Sequence, residues 1–128
     1  MGNYLGTPSF SSCVFADNQA DGRGGGLHNY SSSPSLTNCT FSGNTAGSSG
    51  GGIHNFSASS PSLINCIVWG NSGGSIGGDS SVVTYSNVAD GHTGTGNIDA
   101  DPLFADPANP TGPDTIWGTA DDGLRLLP

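Results

Sequence analysis

Pro34-Ser35-Leu36-Thr37-Asn38-Cys39-Thr40-Phe41-Ser42-Gly43-Asn44 decides the fold, because the same pattern stands twice more in the chain. Pro8-Ser9-Phe10-Ser11-Ser12-Cys13-Val14-Phe15-Ala16-Asp17-Asn18 precedes it. Pro61-Ser62-Leu63-Ile64-Asn65-Cys66-Ile67-Val68-Trp69-Gly70-Asn71 follows. Cys13 and Cys39 are 26 residues apart, and Cys39 and Cys66 are 27 apart. A glycine run follows each of the first two copies: Gly24-Gly25-Gly26-Leu27-His28-Asn29, then Gly50-Gly51-Gly52-Ile53-His54-Asn55. A fixed period in this range marks an array, since one unit cannot bury its own apolar face and must stack on its neighbours.

The second copy can be read as one coil. Pro34 to Thr37 is an extended run with Leu36 inward. Asn38 bends the chain, because Asn tolerates left-handed backbone angles and can bond its own backbone or an Asn one rung away. We expect Asn38 to be an inward or ladder residue. In Cys39-Thr40-Phe41, period two puts Cys39 and Phe41 inward and Thr40 outward. Ser42-Gly43-Asn44 turns again. Gly51 to Phe56 is a third strand, with Ile53 inward and His54 outward on a solvated face. Three short strands and tight bends at this period make one coil of a parallel β-helix. A leucine-rich repeat has a comparable period, but no segment here has helical spacing or helix formers. The expected fold is all-β: a right-handed parallel β-helix of about three to four coils over residues 1–88. Residues 89–128 form an irregular Asp/Gly/Pro-rich cap or tail. Val82 to Val88 reads as a fourth, degenerate rung.

Composition agrees. Of 128 residues 22 are Gly, which alone would suggest disorder, but Leu, Cys and Phe recur at fixed places. The chain has ten acidic residues, all Asp, and its only basic side chains besides His are Arg23 and Arg125. Missing Glu and Lys disfavours helix, and Asp, Asn, Gly and Ser favour turns. A net charge of −8 excludes nucleic acid as an expected partner, since phosphate contacts need Lys and Arg. It also disfavours anionic lipid surfaces, and no apolar run is long enough to insert into a membrane. The cysteines share one repeat position. They read as a ladder of buried thiols, with a disulfide and a metal site as alternatives.

The Phe-x-x-Asn and Gly-Gly-(Ile/Leu) pairing resembles the right-handed parallel β-helix repeats of bacterial surface and secreted proteins, closest to the polymorphic outer-membrane-protein type. The matching stretches are Phe15-Ala16-Asp17-Asn18, Phe41-Ser42-Gly43-Asn44, Gly25-Gly26-Leu27 and Gly51-Gly52-Ile53. The third copy departs, with Val68 for Phe and Gly73-Gly74-Ser75-Ile76 interrupting the glycine run. The resemblance spans about residues 8 to 88. Gly94 to Phe104 is similar to a segment that ends such β-helices in large secreted proteins. The resemblance implies an extracellular or cell-surface setting and a segment of a larger protein. One scaffold hosts many functions, so it implies no activity.

Several residues could carry chemistry. Asp114, Asp121 and Asp122 lie in a Gly-rich loop and could offer carboxylates to Ca²⁺; the alternative is a solvated turn in which Asp caps backbone N–H groups. His28 and His54 share a repeat position and should stack, which could serve a transition metal or a pH-dependent contact. Asp17, Asp21, Arg23 and His28 are the only cluster resembling a catalytic site. β-Helix lyases need a base and positive groups, and hydrolases need paired carboxylates. Gly43 and Gly70 replace Asp17 in the later copies, so the scaffold does not require it. Tyr30 and Phe56 share a position that could form a carbohydrate platform or simply pack a corner. Asn29, Asn38 and Asn55 match the N-glycosylation pattern, as chance allows in an Asn-rich repeat.

The expectation is therefore a non-catalytic structural or adhesive β-helix segment. A fragment of a polysaccharide lyase or hydrolase, or a glycan-binding module, are the alternatives. Uncapped coils expose strand edges and an apolar cross-section, so self-association through the coil ends is also expected.

Overall fold

The computed structural model describes residues 1–116, 123, 124 and 126, and every structural statement below concerns these residues. Fourteen short strands stack into parallel sheets. The first sheet holds β1 (Gly2–Tyr4), β5 (Leu27–Tyr30), β9 (Ile53–Phe56) and β12 (Ile76–Gly78). The second holds β2 (Ser9–Ser11), β6 (Ser35–Thr37), β10 (Ser62–Ile64) and β13 (Val82–Thr84). The third holds β3 (Val14–Ala16), β7 (Thr40–Ser42), β11 (Ile67–Trp69) and β14 (Asn87–Val88). A short pair, β4 (Gln19–Ala20) and β8 (Thr45–Ala46), completes the first two coils. This is a parallel β-helix, and the degenerate fourth rung is present as β13 and β14.

The register turns the sequence repeat into columns. Phe10, Leu36, Leu63 and Val83 form one inward column. Phe15, Phe41, Val68 and Val88 form the next. Leu27, Ile53 and Ile76 form the third. From the second coil onward these side chains are almost all sealed from water. Phe15 and Phe41 stack with ring centroids 4.4 Å apart and planes 1° from parallel. The interrupted third glycine run does not spoil the pattern, since Ile76 still pairs with Ile53.

Cys39 and Cys66 sit at one inward corner, and all three cysteines are free thiols. Each sulfur points to the carbonyl two residues back: Cys39 Sγ to Thr37 O at 3.4 Å, Cys66 Sγ to Ile64 O at 3.4 Å. In the fourth coil Ser86 takes the place, its hydroxyl donating to Thr84 O at 2.9 Å and accepting from Cys66 N at 3.0 Å.

The bends are columns too. Ser12, Asn38, Asn65 and Tyr85 all have left-handed φ, between 50° and 55°. Asp17, Gly43, Gly70 and Asp90 repeat this one corner further on. Asn38 is thus an exposed corner, not an inward or ladder residue as the sequence suggested. The left-handed turn swings its side chain outward so that Cys39 can take the inward place. The laddered amides are elsewhere. Asn18 Nδ2 donates to Asn44 Oδ1 and Asn44 Nδ2 to Asn71 Oδ1, each at 2.9 Å. A second ladder runs Asn3 to Asn29 at 3.1 Å, Asn29 to Asn55 at 2.9 Å and Asn55 to Ser81 Oγ at 2.9 Å. In both ladders each amide-to-amide bond runs from the earlier coil's Nδ2 to the later coil's Oδ1, while Asn44 and Asn71 also donate back to Phe15 O and Phe41 O.

The two ends of the stack differ. Residues 92–100 cross the last coil: Thr95 O accepts Tyr85 N, Ile98 O accepts Val88 N, and Asn97 Nδ2 donates to Val83 O. Val83 and Val88 are buried beneath this segment. At the other end, Phe10, Cys13 and Phe15 are only partly buried, and β2 and β3 each pair on one side.

Candidate functional site

The outer face of the first sheet gathers the most chemistry. Its strands alternate by period two, so Leu27 and Asn29 of β5 point inward, and His28 and Tyr30 point outward. β9 repeats this, with His54 and Phe56 outward. Tyr4 of β1 extends the aromatic column by one rung, since it pairs with Tyr30. Ring centroids are 5.9 Å apart for Tyr4–Tyr30 and 5.6 Å for Tyr30–Phe56. All three rings stay exposed. The guanidinium of Arg23 lies over the Phe56 ring, 5.6 Å from its centroid, a cation–π contact.

Beside that column, His28 and His54 meet edge to face with centroids 5.2 Å apart. The sequence reading put them on a solvated face, but His54 is only 4% exposed. The glycine runs explain why. Gly24 and Gly50 carry φ of 68° and 66° and bring the incoming chain directly against the Cα and Cβ of the two histidines. A Cβ on Gly24 would stand 2.6 Å from that of His28, and one on Gly50 2.7 Å from that of His54. So the runs permit both the left-handed turn and the close approach. His28 Nε2 and His54 Nδ1 are buried without a hydrogen-bond partner. Burial lowers the affinity of both rings for a proton. The Arg23 charge adds to this at both, and at His54 the His28 ring does so as well. Asp79 opposes it at His54.

Of the other candidates, Arg23 and His28 share this face. Asp17 occupies the corner after β3, with its carboxylate over the backbone of Gly43, and Asp21 is exposed in the following loop. Asp114 is exposed and its Oδ1 accepts the N–H of Ile116 at 2.8 Å, the turn-capping role. Asp121 and Asp122 lie outside the described residues. Among the described residues no group of three or more His, Cys or Asp side chains is placed to share a metal ion. Asn29 and Asn55 are fully buried ladder members, which removes them as glycosylation acceptors in the folded chain.

The sequence reading missed Tyr4 and Asn3, although each stands 26 residues before its counterpart, Tyr30 and Asn29. It also missed a cleft of about 480 Å³ between the third sheet and the C-terminal segment, lined by Ser42, Trp69, Asp101, Leu103 and Phe104. That cleft depends on a tail fold with no periodic signal.

A family model described as "Right handed beta helix region" matches residues 5–97. The chain belongs to this family. Comparison with curated proteins and with solved structures gives no match. As a member of the right-handed beta helix family, the chain is assigned a scaffold. The columns above show how its own residues build it.

Proposed function

We propose that the chain is a non-catalytic structural or adhesive segment of a larger bacterial extracellular or cell-surface protein. One observation carries the adhesive part: the exposed column Tyr4–Tyr30–Phe56, held one ring per rung by backbone pairing. An aromatic row of fixed spacing offers apolar faces to successive units of an extended chain. Ser31 and Ser57, joined at 3.1 Å between their hydroxyls, place polar groups along its edge. This supports carbohydrate as the partner, with affinity spread over several rungs rather than in one pocket.

The test is to incubate the protein with a panel of neutral and acidic polysaccharides and to score both retention and cleavage. Retention without cleavage, lost in Tyr30→Ala and Phe56→Ala, is the expected result. Cleavage of any polymer would overturn the non-catalytic reading. Absence of retention would leave the structural role and remove the adhesive one.

A further inference from the structure

The imidazole pair calls for an account that neither scaffold nor adhesion supplies. Buried polar atoms without partners are rare, and each one asks for a reason. Here there are two, His28 Nε2 and His54 Nδ1, on rings 5.2 Å apart. A neutral imidazole tolerates this when the unpartnered nitrogen is the bare lone pair. The other nitrogen then carries the hydrogen. A protonated imidazole does not, because both nitrogens become N–H donors and the ring carries charge.

We propose that the His28–His54 pair is an acid-sensitive latch: proton uptake by either ring loosens residues 21–24 and the glycine backbone packed on the pair. The groups that face the pair are known from each neighbouring element. Arg23 comes from the loop, the chain's amino group from the start of β1, and Asp79 from beyond β12. Two of the three are positive, and the one carboxylate already accepts the N–H of Ala58 at 2.7 Å. A first proton therefore enters a site with little compensating charge, and a second must sit beside the first. The sign follows from proton linkage. Both rings hold protons less well in the folded chain than the ordinary value of 6.5. Stability is therefore full above that pH and falls as pH drops below it, because the unfolded or opened chain takes up the protons. The fall begins at 6.5, above the range in which carboxylates ordinarily titrate.

The latch has a defined readout. Gly24, Gly25 and Gly26 donate their N–H groups to Ser49, Gly50 and Gly51 carbonyls at 3.0 to 3.3 Å. Hydrogen exchange at these amides should be protected at about pH 7.5 and lose protection at about pH 5, by roughly tenfold for each unit by which the rings are displaced. Amides of Leu36 and Phe41, on the other sheets, should hold theirs. Nuclear magnetic resonance titration of the intact chain should show both rings protonating below 6.5, and Arg23→Gln should move both midpoints upward. His28→Gln with His54→Gln should flatten the pH dependence of Gly24–Gly26 exchange. If that double variant does not fold, the titration and Arg23→Gln decide alone. Rings that titrate at or above 6.5, or Gly24–Gly26 protection that is equal at both pH values, would overturn the latch.

Discussion

The side-chain amide of Asn44 donates to Oδ1 of Asn71 at 2.9 Å, while that same oxygen accepts the backbone N–H of Asn44 at 3.0 Å. Asn44 Nδ2 also reaches Phe15 O at 2.8 Å, and its Oδ1 accepts from Asn18. One buried side chain therefore serves three coils. Asn44→Ala removes the side-chain bonds, keeps the backbone N–H to Asn71 Oδ1, and leaves Phe15 O and the backbone and side-chain N–H groups of Asn18 short of partners. At about 1–3 kcal/mol for each buried group left unmade, the loss should reach several kcal/mol. Chemical denaturation should show this as a large drop in midpoint. Asn18→Ala, at the exposed end of the same ladder, should cost much less.

The hydrophobic columns give a graded series. Leu36→Ala deletes a fully buried side chain between Phe10 and Leu63 and should cost about 2–5 kcal/mol. Phe10→Ala, in the partly exposed first coil, should cost less. Equal losses at the two sites in thermal or urea unfolding would mean that the first coil is sealed in solution.

The cysteines should separate by reactivity and by pH. Burial pushes the Cys66 thiol from 9.0 up to about 11, and that of Cys39 upward in the same direction. In the native chain a thiol reagent should therefore modify Cys13 first, and Cys39 and Cys66 only after unfolding. Mass spectrometry of the labelled peptides reads this directly. The linkage is alkaline. The unfolded thiol ionises near 9 while Cys66 holds its proton to about 11, so stability should decline as pH rises between those values. Cys66→Ser should blunt that decline, since Ser86 already serves at the equivalent corner of the next coil.

The left-handed corners permit a stabilising change. Ser12 is exposed at φ 53°, a conformation that disfavours most L-residues by roughly 1–2 kcal/mol. Ser12→Asn, the residue used at positions 38 and 65, should raise the melting temperature slightly. Asn38→Val should lower it, since a β-branched side chain is poorly accommodated there.

Association should be visible in solution. The first coil pairs on one side only, and Phe10 and Phe15 are partly bare there. We propose that copies associate through this face, with light scattering showing a mass that grows with concentration. Ser9→Lys with Ser11→Lys should suppress it, as charges do on edge strands. A monomer at all concentrations would refute it.

Most of the scaffold was legible because a β-helix writes its register into a period. Leu36, Phe41 and Ile53 are inward for the reason the alternation implies, and Cys13, Cys39 and Cys66 align because their spacing matches one coil. What escaped lies where spacing carries no information about cover. His54 points outward as expected, but only the packing of Gly50 shows that outward is not wet. Asn38 and Asn44 are the same residue type six positions apart. Backbone handedness, invisible in residue type, sends one to the surface and the other into a ladder. The cleft beside Trp69 needed the irregular tail to be placed first.

Every amide-to-amide bond in both ladders runs from the earlier coil to the later, so the ladder is a vector rather than a ruler. Aligned hydrogen-bonded dipoles reinforce one another along the axis. In the first coil Asn3 and Asn18 give their amide donors to the second coil, so each ladder begins on a side-chain oxygen. A surface that docks well on that end should bring N–H or O–H donors at two points, so orientation is selected before shape is.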